Sequence, residues 1–243
     1  PLRTWFLMIV GSASAGMAAD AAVKHRFVFG PGPSAPDATV VASSALYSAQ
    51  SGFGFEAGGA PTVVTKGTRS AVTSPTPFLF AVKVPEGNYR VTVTLGDPTA
   101  EAVTTVKAET RRLMLERVRT KAGEFVQRTF TVNVRGPRLS DGREVDLDSR
   151  EMNLETREPI ARHWDDKLTL AFSDAHPAVA AIDVERVDDA ITLFVTGDST
   201  VTDQPANGSW GQYATRWFEP ALAVANHAES GETLKVFLKE RRW

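Results

Sequence analysis

Three stretches of this chain alternate large apolar residues with polar or small ones, one for one. Tyr89, Val91, Val93 and Leu95 are interleaved with Arg90, Thr92 and Thr94. Phe130, Val132 and Val134 are interleaved with Thr131 and Asn133, and Leu168, Leu170 and Phe172 with Thr169 and Ala171. Successive side chains of a strand point to opposite faces, so a period of two predicts strands with one face in a core and the other in water. Phe78-Leu79-Phe80-Ala81-Val82-Lys83-Val84 predicts another strand. Pro85-Glu86-Gly87-Asn88 then predicts a turn into Tyr89, so the two strands are expected as a hairpin. Arg111 to Glu116 has helical propensity, but its surroundings favour a strand. Two stretches, 57–77 and 136–157, read as long surface loops. Several short strands separated by turns predict a β-sandwich over residues 22–187.

Composition narrows what such a fold does. The 243 residues are 42% hydrophobic and 23% charged, as in ordinary globular protein, with a formal net charge of -2. That balance provides no electrostatic footprint for nucleic acid. There is no cysteine, which excludes disulfides, thiol chemistry and cysteine-ligated metal. His25, His163 and His176 lack the spacing of a metal site, so no metal and no cofactor is expected. At the N-terminus, Arg3 precedes the apolar run Trp5 to Val10, which fades into small residues and Ala19-Asp20-Ala21. This pattern predicts a secretory signal peptide over residues 1–21. The protein is then secreted, extracellular or periplasmic, with no membrane contact after cleavage.

The pattern changes near Val187-Asp188-Asp189. An apolar run, Ala190 to Val195, ends at Gly197-Asp198-Ser199-Thr200. Trp210 to Phe218 reads as a helix closed by Pro220, Leu222 to Ala225 as a second strand, and Gly231-Glu232-Thr233 as the start of a second helix with Leu234, Phe237 and Leu238 on one face. This β-α-β-α order predicts the start of a doubly wound parallel sheet over residues 188–243. A serine at the carboxyl end of such a strand is placed as a hydrolase nucleophile. The blander role of Ser199 is a helix N-cap. Asp198 is expected to hydrogen-bond turn amides, and Asp203 and Gln204 to lie solvated on a loop above the serine. His227 is not expected to be the base. Trp164, flanked by Asp165 and Asp166, could stack on a sugar ring or cover the end of the core. The Arg111-Arg112 pair reads as a solvated strand edge.

Gly197-Asp198-Ser199-Thr200-Val201 resembles the first block of the SGNH (GDSL) hydrolases. Asn226 to Thr233 resembles their second block in the rhamnogalacturonan acetylesterase form, and Trp210-Gly211-Gln212 is similar to the same subgroup. Phe27-Val28-Phe29-Gly30, Val84 to Tyr89 and His163 to Leu168 resemble the galactose-binding-like β-sandwich that often precedes such domains. The resemblance implies a sandwich followed by the start of a flavodoxin-like, three-layer α/β domain. It implies Ser199 as nucleophile and oxyanion donor, Gly231 as a second oxyanion N–H, and Asp198 and Asn226 in support. The family's later blocks, with the catalytic His and Asp, are absent, so the chain reads as a C-terminally truncated and inactive fragment of an enzyme that deacetylates pectic polysaccharide. The alternatives are a non-catalytic module that binds carbohydrate, or a sandwich that serves only as structural support.

Overall fold

The computed structural model describes residues 24–31, 37–59, 61–109, 111–136, 138, 141–143, 164–203 and 209–240. The expected signal peptide and most of the second expected loop lie outside them. Strands dominate the chain: β1 (Lys24–Phe29), β2 (Thr39–Val41), β3 (Phe53–Phe55), β4 (Thr62–Lys66), β5 (Arg69–Thr73), β6 (Phe78–Lys83), β7 (Gly87–Leu95), β8 (Ala102–Ala108), β9 (Arg112–Thr120), β10 (Val126–Val134), β11 (Lys167–His176), β12 (Ala178–Arg186), β13 (Ile191–Val195) and β14 (Leu222–Asn226). One short helix, α1, covers Leu234–Glu240.

Two sheets form the sandwich. One runs β10-β7-β12-β1-β2, with the β4–β5 hairpin attached to β12; the other runs β3-β6-β11-β8-β9. The alternation in β7 is kept along its whole length. Tyr89, Val91, Val93 and Leu95 are buried, while Asn88, Arg90, Thr92 and Thr94 between them stay half-exposed. Between the sheets, Phe27, Phe29, Phe55, Phe78, Phe80 and Phe172 pack with Leu168, Leu170, Ile182 and Val184. Phe80 meets Phe27, Phe29 and Phe55 edge-on, at centroid distances of 5.1, 5.5 and 5.4 Å. Each buried ring contributes about 1.5–3 kcal/mol by leaving water, so this cluster holds the sheets together without cross-links.

Three local expectations change. Strands β6 and β7 do not form a hairpin: β6 pairs with β11 and β3, β7 with β10 and β12. The Pro85–Gly87 segment arches from one sheet to the other, and Tyr89 ties it down by donating its hydroxyl to the Pro85 carbonyl at 2.7 Å. The first expected loop contains the β4–β5 hairpin, whose Thr, Ser and Lys residues masked its strands. Trp210 to Phe218 forms two 3-10 turns, Trp210–Gln212 and Ala214–Trp217, rather than a helix.

The expected α/β domain is corrected more fundamentally. After β12 the described residues form a two-stranded parallel sheet, β13–β14, joined through the two 3-10 turns. A parallel sheet needs helices on both faces, and α1 is a single seven-residue helix. The described chain is nearly all-β, with no flavodoxin-like three-layer domain. The C-terminal unit, residues 191–240, has only a small core of its own: Val195, Val201, Val224 and Ala228, with Leu193 and Leu222 packed against them.

One buried acid stands where the sandwich meets this unit. Glu109, between β8 and β9, has φ of 51°, and its Oε1 accepts the Thr169 N–H at 3.0 Å. Burial pushes its carboxyl up to about 8, against the pull of Arg112, the Thr169 N–H and Arg135 and with the help of Asp165. Burial likewise raises Asp165 to about 6. A carboxyl with a raised folded-state pKa contributes stability below its unfolded value and loses it as the pH rises through the folded one. The melting temperature is therefore expected to fall between pH 5 and pH 8.5, by roughly 5 °C or more. Glu109→Gln should flatten the slope between about pH 6 and pH 8 and reduce it below pH 6, where Asp165 contributes as well. A thermal melt series by circular dichroism checks this; equal slopes for the two proteins would refute it.

Candidate functional site

The first three residues of β9 are all buried. On a one-sided strand that would break the alternation, and the reason lies in the C-terminal unit, which covers the outer face of β9 at this end. Arg112 is about as buried as any residue in the core. Its Nε donates to Asp203 Oδ2 at 2.7 Å, with both side chains 1% exposed. Its Nη1 donates to the carbonyls of Asn133 at 2.7 Å and Val224 at 3.5 Å. The expected solvated roles of Arg112 and Asp203 are thus reversed: together they form a buried ion pair.

Other groups from the sandwich converge on the same unit. Arg135 donates to the Asn226 carbonyl, and Thr131 Oγ1 to that of Pro220. Thr215 Oγ1 donates to the Leu113 carbonyl at 2.6 Å, and Arg111 Nε to Gln212 Oε1 at 3.0 Å. Asn88 Nδ2 donates to Thr192 Oγ1 at 2.8 Å. Trp164 is nearly buried under the Arg135 guanidinium, 4.2 Å above its ring, with the His227 ring 5.5 Å away. It closes the end of the sandwich and offers no face to a sugar. His227 lies between Trp164 and Phe194, whose ring is 5.6 Å from it.

The Gly197–Thr200 turn follows β13. The Asp198 carbonyl accepts the N–H groups of Val201 and Thr202, at 2.9 and 3.1 Å. Its carboxylate Oδ1 accepts the Thr200 N–H at 2.9 Å and the Thr200 hydroxyl at 2.8 Å. Asn226 staples the neighbouring segments. Its Nδ2 donates to the Val201 carbonyl at 2.8 Å, and its Oδ1 accepts the Ala228 N–H at 3.1 Å. Glu229 N–H donates to the Gly197 carbonyl at 3.1 Å, which lays the 226–231 segment beside the serine turn. Gly211 packs so tightly here that a Cβ would sit 1.8 Å from the Val201 carbonyl oxygen. Gly231 has φ of 83°, a left-handed conformation that glycine adopts freely. Ser199 is exposed, and among the described residues no acid or base is hydrogen-bonded to its hydroxyl. Gln204 lies outside the described residues.

A second feature was not singled out from the sequence. Trp210, Tyr213 and Trp217 are 53%, 44% and 76% exposed. They stand at intervals of three and four along the two 3-10 turns and the Tyr213 between them, and at three residues per turn Trp210 and Tyr213 share a side. The sequence reads as a helix over Trp210 to Phe218, and in an α-helix the same spacing marks a core-facing stripe. The Arg216 guanidinium sits 4.7 Å over the Trp217 ring and is itself paired with Glu116 of β9.

No protein-family model matches the chain, and no curated protein matches it. Among solved structures, protein YXIM from Bacillus subtilis is similar at 22% identity over 88% of this chain and 57% of that one, with a TM-score of 0.47. The plant receptor-like kinase FER is similar at 14% identity over 71% of this chain and 44% of that one, with a TM-score of 0.40. TmCBM61, solved in complex with β-1,4-galactotriose, is similar at 12% identity over 56% of this chain and 88% of that one, with a TM-score of 0.22. The chain spans little more than half the length of the Bacillus protein. With no family model matched and the described residues almost wholly β, the assignment to the SGNH (GDSL) hydrolases is withdrawn. So are the rhamnogalacturonan acetylesterase label and the reading of the chain as a truncated member.

The buried ion pair generates a sharp test. Arg135 Nη2 also lies 4.0 Å from Asp203 Oδ1, so removing Arg112 takes away the nearer of two buried cations, a loss at or below the roughly 3–5 kcal/mol of a fully broken buried pair. Arg112→Ala should therefore loosen the C-terminal unit, seen as an early change in tryptophan fluorescence on heating. The double variant Arg112→Met/Asp203→Leu should recover part of the loss, because a packed apolar pair is often as stable as a buried ionic one, and the rest stays lost with the Arg135–Asp203 contact. A parent-like melt for Arg112→Ala would remove the pair from its place in the interface.

Proposed function

We propose that the protein is an exported carbohydrate-binding β-sandwich that holds polysaccharide on the Trp210, Tyr213 and Trp217 rings. The carrying observation is their exposure on a rigid support. Exposed apolar rings gathered on one short segment are the kind of surface that meets a partner. A flat ring matches the C–H face of a sugar while the hydroxyls around it remain in water. These rings are held by short turns bonded to β9 through Thr215 and Arg216, and to Arg111 just before it through Gln212, so little side-chain or loop freedom is lost on binding. The exposed rings support this reading of the ligand class. Acetylated pectic polysaccharide is the finer proposal, and it belongs in a panel beside unsubstituted pectin, galactan and cellulose.

Affinity electrophoresis through gels containing each polymer tests the reading. Trp217→Ala should weaken retardation about ten-fold or more, and Tyr213→Ala by a smaller factor, on the scale of 1–3 kcal/mol for a stacked aromatic at a binding hot spot. Failure of every polymer to retard the parent, or equal retardation of a Trp217→Ala/Tyr213→Ala variant, overturns it.

A second reading has one observation in its favour. Ser199 is exposed on a turn beside the 226–231 segment, a position open to an acyl group, and a serine esterase acting on acetylated polysaccharide would use it as nucleophile. A serine hydroxyl without a base is a weak nucleophile. The chain is therefore expected to turn over p-nitrophenyl acetate no faster than Ser199→Ala. A rate roughly ten-fold above that control would reveal a working base within the chain.

A further inference from the structure

Strand β12 changes partner partway along one side. Ala178 and Val179 pair with Thr73 and Val72 of β5, whereas Ala181 pairs with Val28 of β1. On its other side β12 pairs with β7 at Val179–Leu95 and next at Ala181–Thr94, so Ala180 is an extra residue in the ladder. Such a bulge bends its strand and interrupts the pleat. The bulge and the exchange of β5 for β1 fall at the same place, and the outer face of the sheet is hollow there.

The hollow has a volume of about 320 Å³ and is open to solvent. Val28, Ala180 and Ala181 supply small apolar groups, and Phe125, one residue before β10, supplies a ring. Thr68 and Arg69 of the β4–β5 hairpin supply a hydroxyl and a cation. These parts are fixed to one another. Arg69 Nη1 donates to the Gly123 carbonyl at 2.7 Å, and its guanidinium carbon lies 5.4 Å from the centre of the Phe125 ring, which ties the hairpin to the 123–125 segment. Ser70 Oγ donates to the Pro31 carbonyl, and Gly30 packs where a Cβ would stand 2.5 Å from Val63, so the hairpin is also seated on the end of β1.

A guanidinium has five N–H donors, and the Gly123 carbonyl takes one of them. Among the described residues no carboxylate is paired with Arg69; Glu124, beside Phe125, turns its Oε2 to the Lys121 N–H at 2.9 Å. Across the hairpin Arg69 stands opposite Lys66, a second exposed cation. The hollow is thus locally positive on a chain whose formal net charge is -2. Attraction for an anion belongs to this place and not to the surface at large.

The geometry points to a second ligand site, in which this hollow takes one uronic acid residue of a polysaccharide. The C–H face of the sugar lies on the alanines and the Phe125 ring. Its carboxylate accepts from the remaining N–H groups of Arg69, whose fork matches two carboxylate oxygens. Little ordering is lost, because the hairpin is already clamped. The inference rests on the carbohydrate reading for the class of ligand and adds the charge of the sugar. Its place is separate, since none of the residues lining the hollow belongs to the C-terminal unit. One sugar held by one charge gives a weak site, with a dissociation constant on the order of 1 mM.

The test is a titration of the isotope-labelled whole chain with trigalacturonate, and separately with its methyl ester, followed by nuclear magnetic resonance. The Ala181 amide and the Arg69 Nε–H signals should move with the acid, and the ester should bind about ten-fold more weakly or worse. Arg69→Gln, at an exposed position, should melt like the parent and weaken the Ala181 response about ten-fold or more. Ala181→Leu keeps every charge but fills the hollow, and should weaken the Arg69 response as much. Ala181 and Arg69 signals that stay still, an equal response to acid and ester, or a response that survives either substitution overturns the proposal. So does a stronger response to a trisaccharide carrying sulfate in place of carboxylate. The indole N–H signals of Trp210 and Trp217 report the other site in the same titration, so the hollow and the rings stand or fall separately.

Discussion

The ion pair between Arg112 and Asp203 is the interaction on which the C-terminal unit depends. Among the described residues the apolar core of that unit is small: four residues form it, with two more packed against them. It is attached to the sandwich through polar groups, and Arg112 contacts three separate segments at once, at Asp203, Asn133 and Val224. Ion pairs in a protein interior contribute little net stability, because desolvation offsets attraction. What this pair supplies is position. An arginine with its head out of water accepts only one arrangement of its partners, so the 197–203 turn is held in a single place against β9.

Around that pair the remaining contacts follow from geometry. Once Asp203 is docked, the Val201 carbonyl lies where Asn226 can bond it, and Gly211 fits under the same carbonyl. Thr215 and Gln212 then reach β9 and its neighbour Arg111, which fixes the 3-10 turns and leaves the rings of Trp210, Tyr213 and Trp217 outside. The open aromatic surface and the buried charge are therefore two sides of one attachment.

How far the sequence could be read depended on how many faces of an element met water. Strand β7 was legible because its polar residues alternate with its buried ones. The start of β9 was not, because the C-terminal unit covers its outer face, and Arg112-Leu113-Met114 has no period to read. Turn chemistry marked the ends of β6 and β7 correctly but could not separate a hairpin from an arch between sheets. That choice is made by distant strands β11 and β12. The α/β expectation failed for a related reason. An apolar strand, a glycine turn, a second strand and an amphipathic stretch are locally the signs of a doubly wound sheet, yet the described chain builds two strands, two 3-10 turns and one short helix. In the candidate site, glycine and aspartate made the Ser199 turn visible. The burial of Asp203 was invisible, since its partner lies 91 residues away.

That separation also has a consequence in time. Asp203 cannot leave water as an ion until Arg112 is waiting for it, and Arg112 takes its place only when β9 is seated in its sheet and the nearby end of β10 presents the Asn133 carbonyl. The contacts inside the C-terminal unit span short stretches of chain, yet their small core cannot hold them against solvent. The sandwich must therefore assemble first, and the last fifty or so residues close onto a finished surface. The same polarity governs the reverse journey: the Ser199 turn and the aromatic rings are the first parts of the molecule to come away.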